Sequence, residues 1–364
     1  MPTDRLTGPS VVGLVGDMTG PSLWRCLQPI SALERIGYPC GWDHTTARLA
    51  SRLAAHAEMT LLFRVSWPSW SRRVISTEFA AARAAGRSLV IDADDDLYSP
   101  EFSARQIEAG WAEGKSYAQL EAERHERLWA LGQADGVTVS TEPLAEIVRG
   151  FTDSPVHVVP NAIDIPWFRS VVRRRTREYD GVTIGWAGGK RPDGDLEAMA
   201  VAWGRIARRY PDVRFVVAGY LPPIVMRHAP ADRLHVIPWL PLERYPEAMA
   251  HVDIACCAVR RDRFNVCKTP IKAWEAAVAG SCVVATPTLY GGEIVDGETG
   301  LLAETTDDWE AALADLVERP ARRRILATRL LKHVERRCSL RENVFRWPRA
   351  WSAIRDHAQA RGVA

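Results

Sequence analysis

The sequence predicts an α/β protein of two parallel-sheet domains, and three observations carry that reading. Short apolar runs alternate with amphipathic helical stretches along almost the whole chain. The alternation breaks over the arginine-rich stretch Pro166–Tyr179, which lacks apolar periodicity and reads as a linker, and then restarts. A length of 364 residues is enough for two such domains, placed at 1–168 and 169–342. In the first, Val11–Val15 is a strand, Asp17–Pro21 a loop and Leu23–Ile36 an amphipathic helix. Strand Thr60–Val65, helix Arg72–Ala85 and strand Ser88–Ile91 follow. Helix Tyr117–Leu131, strand Val137–Val139, a helix capped by Thr141 and strand Val156–Val159 close this half. The second domain opens with strand Val182–Trp186 and helix Leu196–Arg208. Strands Val213–Val217 and Leu234–Ile237, helix Leu242–Ala250 and strand Ile254–Cys257 come next. Helices fill Asp308–Arg336, and a last helix covers Asn343–Gln359.

Composition narrows the function. Hydrophobic residues make up 47% and charged residues 25%, ordinary values for a globular chain. A formal net charge of +2 gives no electrostatic case for nucleic acid. The clusters Arg173–Arg175 and Arg322–Arg324 read as solvated surface, with weak attachment to an anionic membrane face as the alternative. Seven cysteines without paired short spacing suggest a reducing compartment, and Cys256–Cys257, in an apolar run, read as buried thiols. No signal peptide and no apolar run near membrane-spanning length is seen, so a cytoplasmic protein is expected, at most peripheral at the inner membrane face.

The most informative stretch is Phe264–Leu302, a polar loop, a capped helix, a buried strand, a double-glycine loop and a return strand. Thr269 suits the N-cap and Pro270 the first helical position, while Gly280 ends the helix before strand Cys282–Ala285. Lys272 and Glu275 share one side of that helix; Ile271, Trp274 and Val278 fall on another and pack inward. Lys268 lies just before the cap. A helix start with two lysines suits a diphosphate, and a carboxylate one turn on suits sugar hydroxyls. Spacing alone fits an ordinary surface helix equally well.

The same stretch resembles the donor-binding half of GT-B glycosyltransferases, in the large retaining nucleotide-sugar group. The matches are Glu275 for the second Glu of a Glu-x7-Glu pair, Ala279–Gly280, the strand Cys282–Ala285, Gly291–Gly292–Glu293, and Asp296–Gly297 through Leu302. Cys267 stands where the first Glu belongs, and FNVCKTPIKAWE resembles a bacterial subgroup with a Lys-rich loop. The resemblance implies two Rossmann-like domains facing across a cleft, with the final helix (343–364) packed back on the first domain. It also implies a glycine loop and basic residue at Gly188, Gly189 and Lys190, where glycines let the backbone approach a phosphate. A similar loop opens the first domain, so Gly20 and Arg25 are expected to border the diphosphate or the acceptor; Arg25 as an exposed helical arginine is the competing reading.

Asp92-Ala93-Asp94-Asp95-Asp96 follows the strand SLVI and admits three readings: a metal and nucleotide site, carboxylates engaged in caps or salt bridges, or recognition of acceptor hydroxyls. The resemblance favours an acceptor-side role without metal. Val159-Pro160-Asn161-Ala162-Ile163-Asp164 matches the family's Pro-Asn-Gly-Val-Asp turn before the link between domains. Asn161 and Asp164 are read as fixing that turn. Among 14 tryptophans, Trp67 and Trp70 of the WPSW loop are the pair expected to be exposed, with one of them lining the acceptor side. His44 sits in a loop and is assigned no role.

The expected activity is transfer of a sugar from a nucleotide-diphosphate sugar to a saccharide or other hydroxyl acceptor, lipid-linked acceptors included. The donor is a substrate; no cofactor and no metal is called for. Lys268, Lys272 and Lys190 would stabilise the leaving diphosphate, and Glu275 would hold the ribose. Two alternatives stay open, a nucleotide-sugar epimerase of the same fold and a non-catalytic sugar-nucleotide binding protein.

Overall fold

The computed structural model describes residues 8–44, 57–64, 72–173 and 181–362. Two six-stranded sheets, parallel throughout, organise the chain. The first joins β1 (Val11–Val15), β2 (Cys40–His44), β3 (Met59–Phe63), β4 (Ser88–Ala93), β5 (Gly136–Val139) and β6 (Val156–Val158) in the order β2-β1-β3-β4-β5-β6. The second joins β7 (Thr183–Gly188), β8 (Arg214–Gly219), β9 (Leu234–Ile237), β10 (Ile254–Cys257), β11 (Cys282–Ala285) and β12 (Leu301–Leu302) in the order β12-β11-β10-β7-β8-β9. Parallel sheets need helices on both faces, which explains why β1, β3, β4, β5, β10 and β11 are buried along their whole length.

Strand order reverses between β1 and β3 in one sheet and between β7 and β10 in the other. Crevices form outside the carboxyl ends of strands at such switch points. Here the two crevices meet.

Several expected elements shift. The helix at Leu23–Ile36 begins earlier, as Gly20–Ser22, a π-helical turn Leu23–Leu27 and Gln28–Arg35. Pro166–Tyr179 is not wholly a linker. Asp164 accepts a hydrogen bond from the Trp167 N–H and caps a helix over Ile165–Val172, while residues 174–180 lie outside the described set. Leu242–Ala250 is a 3₁₀ stretch, Tyr245–His251, rather than an α-helix. β2 and the helices Glu101–Glu108 and Pro223–His228 are additional.

The helix Arg346–Ala360 lies on the first domain. Trp347 Nε1 donates to the Arg25 carbonyl at 3.3 Å, and Trp351 stacks at a tilt on Tyr38 with centroids 6.1 Å apart. Ile354 sits so close to β5 that a Cβ on Gly136 would fall 2.6 Å from it. Gly136→Val should therefore lower stability by about 1–3 kcal/mol through overpacking. Urea midpoints would show this, and pairing the change with Ile354→Ala should restore part of the loss.

The domains also meet through polar contacts across the cleft. Arg105, from the first, bonds Asp195 at 2.8 Å and Asp262 at 2.5 Å in the second, with its guanidinium 4.4 Å from the Phe264 ring centroid. Among the described residues, no helix is long and apolar enough to cross a membrane.

Candidate active site

A cavity of about 470 Å³ opens where the two switch points face each other. Its first-domain wall includes Thr19 and Gly20 after β1, Arg64 after β3 and Asp94 and Asp95 after β4. The second-domain wall includes Gly188, Gly189, Lys190 and Arg191 after β7, Val259 after β10, and Lys268, Thr269, Lys272 and Glu275 at the following helix.

That helix runs over Ile271–Ala279 and ends on Gly280 at φ 93°, a conformation that glycine takes without strain. Its start differs from the sequence reading. Pro270 is the N-cap, and Thr269 Oγ1 instead accepts from Asn161 Nδ2 at 3.1 Å, tying the helix start to the first domain. Inside the first turn, Lys272 Nζ donates to Tyr245 Oη at 2.7 Å and to Glu275 Oε2 at 3.1 Å. Tyr245 donates in turn to Glu275 Oε2 at 2.6 Å. Burial, reinforced by that carboxylate, pushes the Tyr245 phenol well above its ordinary range, so the tyrosine stays a donor. Glu275 is 1% exposed, and Lys272 reaches the cavity above it.

Lys268 pairs with Asp95 across the cleft and lies 4.3 Å from the Phe264 ring centroid. Asp95 also bonds Arg64 Nη2 at 3.1 Å, and Asp94 bonds the same nitrogen at 3.3 Å. Burial opposes charge on Asp95, but Lys268 and Arg64 outweigh it and hold its carboxyl below the usual range. Asp94 is pushed up to about 6 by burial, with Asp95 adding to the effect and Arg64 opposing it. The folded state thus binds the Asp94 proton more tightly than the unfolded chain, whose carboxyl titrates near ~4. Stability from this residue is present at acid pH, falls as pH rises from about 4 through about 6, and does not return above it. Asp94→Asn should raise the melting temperature most at pH 7 and least at pH 4; an equal shift at both would contradict the cause. Arg64 itself is held at φ 53°, an uncommon left-handed backbone for a non-glycine residue, at the cavity rim.

The aspartate run divides by position. Asp92 is buried against Arg25, Asp96 accepts from the Ser99 N–H at 3.0 Å in a turn, and only Asp94 and Asp95 line the cavity. Lys190 Nζ donates to the Gly110 carbonyl at 2.8 Å across the cleft. Gly20, Gly188, Gly189, Lys190, Lys268, Lys272 and Glu275 are therefore brought together.

Four expected site residues are not. Arg25 is fully buried; it bonds Asp92 with two nitrogens at 2.7 and 2.6 Å and also donates to the Val159 carbonyl and Asn161 Oδ1. Its expected place bordering the diphosphate or the acceptor is corrected to the core, because the Asp92 carboxylate on β4 lies directly opposite. Gly291, Gly292 and Glu293 fall outside the cavity. Glu293 accepts from Trp274 Nε1 at 3.3 Å and sits 2.9 Å from His333 Nε2; with Cys338 these offer three ligand-type atoms within 4.8 Å of one another. Cys267 is buried, its thiol pushed up to about 12 by burial, and it does not line the cavity. Asn161 joins two domains through Arg25 and Thr269 rather than bonding its own turn. Trp67 and Trp70 lie outside the described residues, and His44 ends strand β2 rather than standing in a loop.

Arg64, Tyr245, Trp111, Trp239 and Phe264 also line the cavity, and none of them was singled out as a site residue from the sequence. Arg64 was read inside the strand Thr60–Val65, whereas the strand ends at Phe63 and leaves Arg64 at the cavity rim.

Residues 181–319 match the family model described as Glycosyl transferases group 1. No curated protein sequence matches the chain. Among solved structures, Anabaena HepE in complex with UDP and glucose aligns at 14% identity and TM-score 0.65, over 95% of this chain and 100% of that one. Sucrose-phosphate synthase from Thermosynechococcus elongatus aligns at 10% identity and TM-score 0.66, over 95% and 99% of the two chains. S. aureus TarM, in a complex containing UDP, aligns at 9% identity and TM-score 0.56, over 80% of this chain and 55% of that one. Likeness at these identities establishes a shared two-domain GT-B fold.

Proposed function

We propose that this chain, whose residues 181–319 match the group 1 glycosyltransferase model, moves a sugar from a nucleoside diphosphate donor to a hydroxyl acceptor held against the first domain. The observation that carries the reading is the convergence of Lys268, Lys272, Lys190 and Arg191 on one wall of the interdomain cavity. As the bond between the anomeric carbon and the diphosphate oxygen breaks, negative charge grows on the leaving group. Cations fixed beforehand at that place stabilise it. An ammonium has three donors, and Lys272 spends two on Tyr245 and Glu275, which leaves one for a phosphate oxygen. The carboxylate of Glu275 accepts a ribose hydroxyl. Gly188 and Gly189 offer backbone at the end of β7.

Transfer proceeds with retention: the acceptor attacks the face from which the diphosphate leaves, and a donor phosphate oxygen takes the acceptor proton. A metal-independent mechanism is supported by where the cavity's acids are spent. Asp94 and Asp95 already serve Arg64 and Lys268, so the protein's own cations occupy the carboxylates a divalent ion would use. Transfer between two walls also favours excluding water, which would hydrolyse the donor.

Thermal melts with UDP, GDP and ADP test the donor assignment, because a ligand bound by the folded state alone raises the apparent melting point. At least one should do so. Glu275→Ala should then raise the donor KM about tenfold or more, as loss of a hydrogen bond to a charged group does, with the acceptor KM unchanged. No shift with any of the three diphosphates removes the donor reading.

A further inference from the structure

We propose that the first-domain wall of the cavity holds a seat for an oxyanion, so that the acceptor is a hydroxyl compound carrying a phosphate or carboxylate group. This rests on the transfer reading above and names the class of acceptor for it.

Arg127, on the helix Tyr117–Leu131, is the first group of this seat. It is 5% exposed and lines the cavity. Its Nε donates to the Leu97 carbonyl at 3.1 Å, and its guanidinium carbon lies 5.3 Å from the Phe102 ring centroid. Its Nη2 has no hydrogen-bond partner. Arg25, Arg105 and Arg124, the other buried arginines among the described residues, each pair with a carboxylate, at 2.6, 2.5 and 2.8 Å. Arg127 forms no such pair among the described residues. Burial accordingly pushes its pKa down, Arg124 adds to the shift, and Glu123, Tyr98 and Glu121 oppose it without cancelling it.

Gln106 supplies the second observation. It lies four residues after Phe102 on Glu101–Glu108, is 3% exposed and also lines the cavity. Its backbone carbonyl accepts from the Trp111 N–H at 2.7 Å, but its side-chain Oε1 has no partner. A buried cation and a buried amide oxygen left unpaired both cost free energy, and such groups in native structures usually have a partner. Aromatic rings continue from Phe102, which stacks on Phe264 with centroids 5.8 Å apart, to Trp111, whose ring lies 6.1 Å from Phe264. In such surroundings a charge-assisted hydrogen bond gains strength. A ligand satisfying both groups presents an anionic oxygen to the guanidinium and a hydroxyl or N–H to the amide. A water molecule could bond either group but would not neutralise the guanidinium.

Calorimetric titration of the full-length protein tests this, with the diphosphate seat first saturated by whichever of UDP, GDP and ADP binds best. The probes are glucose 6-phosphate, glucuronate and glucose. One or both of the anionic sugars should bind at least about tenfold tighter than glucose, the scale of a hydrogen bond to a charged group. A preference for one over the other tells phosphate from carboxylate. Arg127→Gln should remove the preference while leaving the nucleotide affinity unchanged. Equal binding of all three probes by the wild-type protein would overturn the proposal, as would a preference that survives in Arg127→Gln. Should that variant lose its fold, Gln106→Leu decides instead: about fivefold weaker binding of the anionic sugar is expected, and undiminished binding overturns the seat. Nucleotide binding is read separately, so failure of the donor assignment is distinguishable from failure of the oxyanion seat.

Discussion

Lys272→Ala should lower kcat by about two to three orders of magnitude, the usual loss when one prepositioned donor to developing charge is removed. The ammonium joins three things: the helix start, the buried Glu275 carboxylate and the Tyr245 hydroxyl. The tyrosine still donates to Glu275 in the variant, and Lys272 is partly exposed, so the fold should survive. Far-UV circular dichroism and the melting point would check that. The kinetic signature distinguishes roles. Removing a lysine that acts on the leaving group lowers kcat and kcat/KM together, whereas removing one that binds ground and transition states equally raises the donor KM alone. Turnover and donor KM both unchanged would remove Lys272 from the mechanism.

Arg25→Met should be the most destabilising single change in the first domain, by about 3–5 kcal/mol, because it strands a buried carboxylate. Both side chains of the Arg25–Asp92 pair are 0% exposed. The arginine also holds the Val159 carbonyl and Asn161, so its loss loosens the turn leading into the second domain. Thr138 Oγ1 would remain as a donor to Asp92, at 2.5 Å, which does not replace a cation. Replacing both partners, Arg25→Met with Asp92→Leu, should recover much of the loss, since two apolar groups leave no charge behind. Urea midpoints of the two singles and the double form the cycle. The folded fraction of Arg25→Met should keep wild-type nucleotide affinity. A large loss of nucleotide affinity with little loss of stability would return Arg25 to the diphosphate site.

The legible parts of the fold were those written locally. Val11–Val15, Leu234–Ile237, Ile254–Cys257 and Cys282–Ala285 are strands with the limits read from sequence, because each is a short run rich in β-branched or aliphatic residues between turns. β2 escaped notice because CGWDH lacks that pattern: it is an edge strand paired only with β1. The helix Ile271–Ala279 was legible from Gly280 and the Lys272–Glu275 spacing, but its cap was not. Thr269 is drawn off by Asn161, 108 residues away in sequence. Arg25 failed for the same reason, since its partner Asp92 is 67 residues away and a helical arginine alone reads as exposed. Arg127 and Gln106 carry no periodic signal; only the packing of two helices around the cleft buries them. Gly291 and Gly292 match a family motif, yet motif order does not fix which side of a loop meets the cavity.

In the proposed function, positive charge at the start of Ile271–Ala279 receives a diphosphate in the cleft between the domains. The most direct test is a crystal structure of the protein with a bound nucleoside diphosphate. The expected result is a diphosphate within hydrogen-bonding distance of Lys272 Nζ, with its ribose on Glu275. A nucleotide bound elsewhere, with Lys272 still engaged only by Tyr245 and Glu275, would contradict the account.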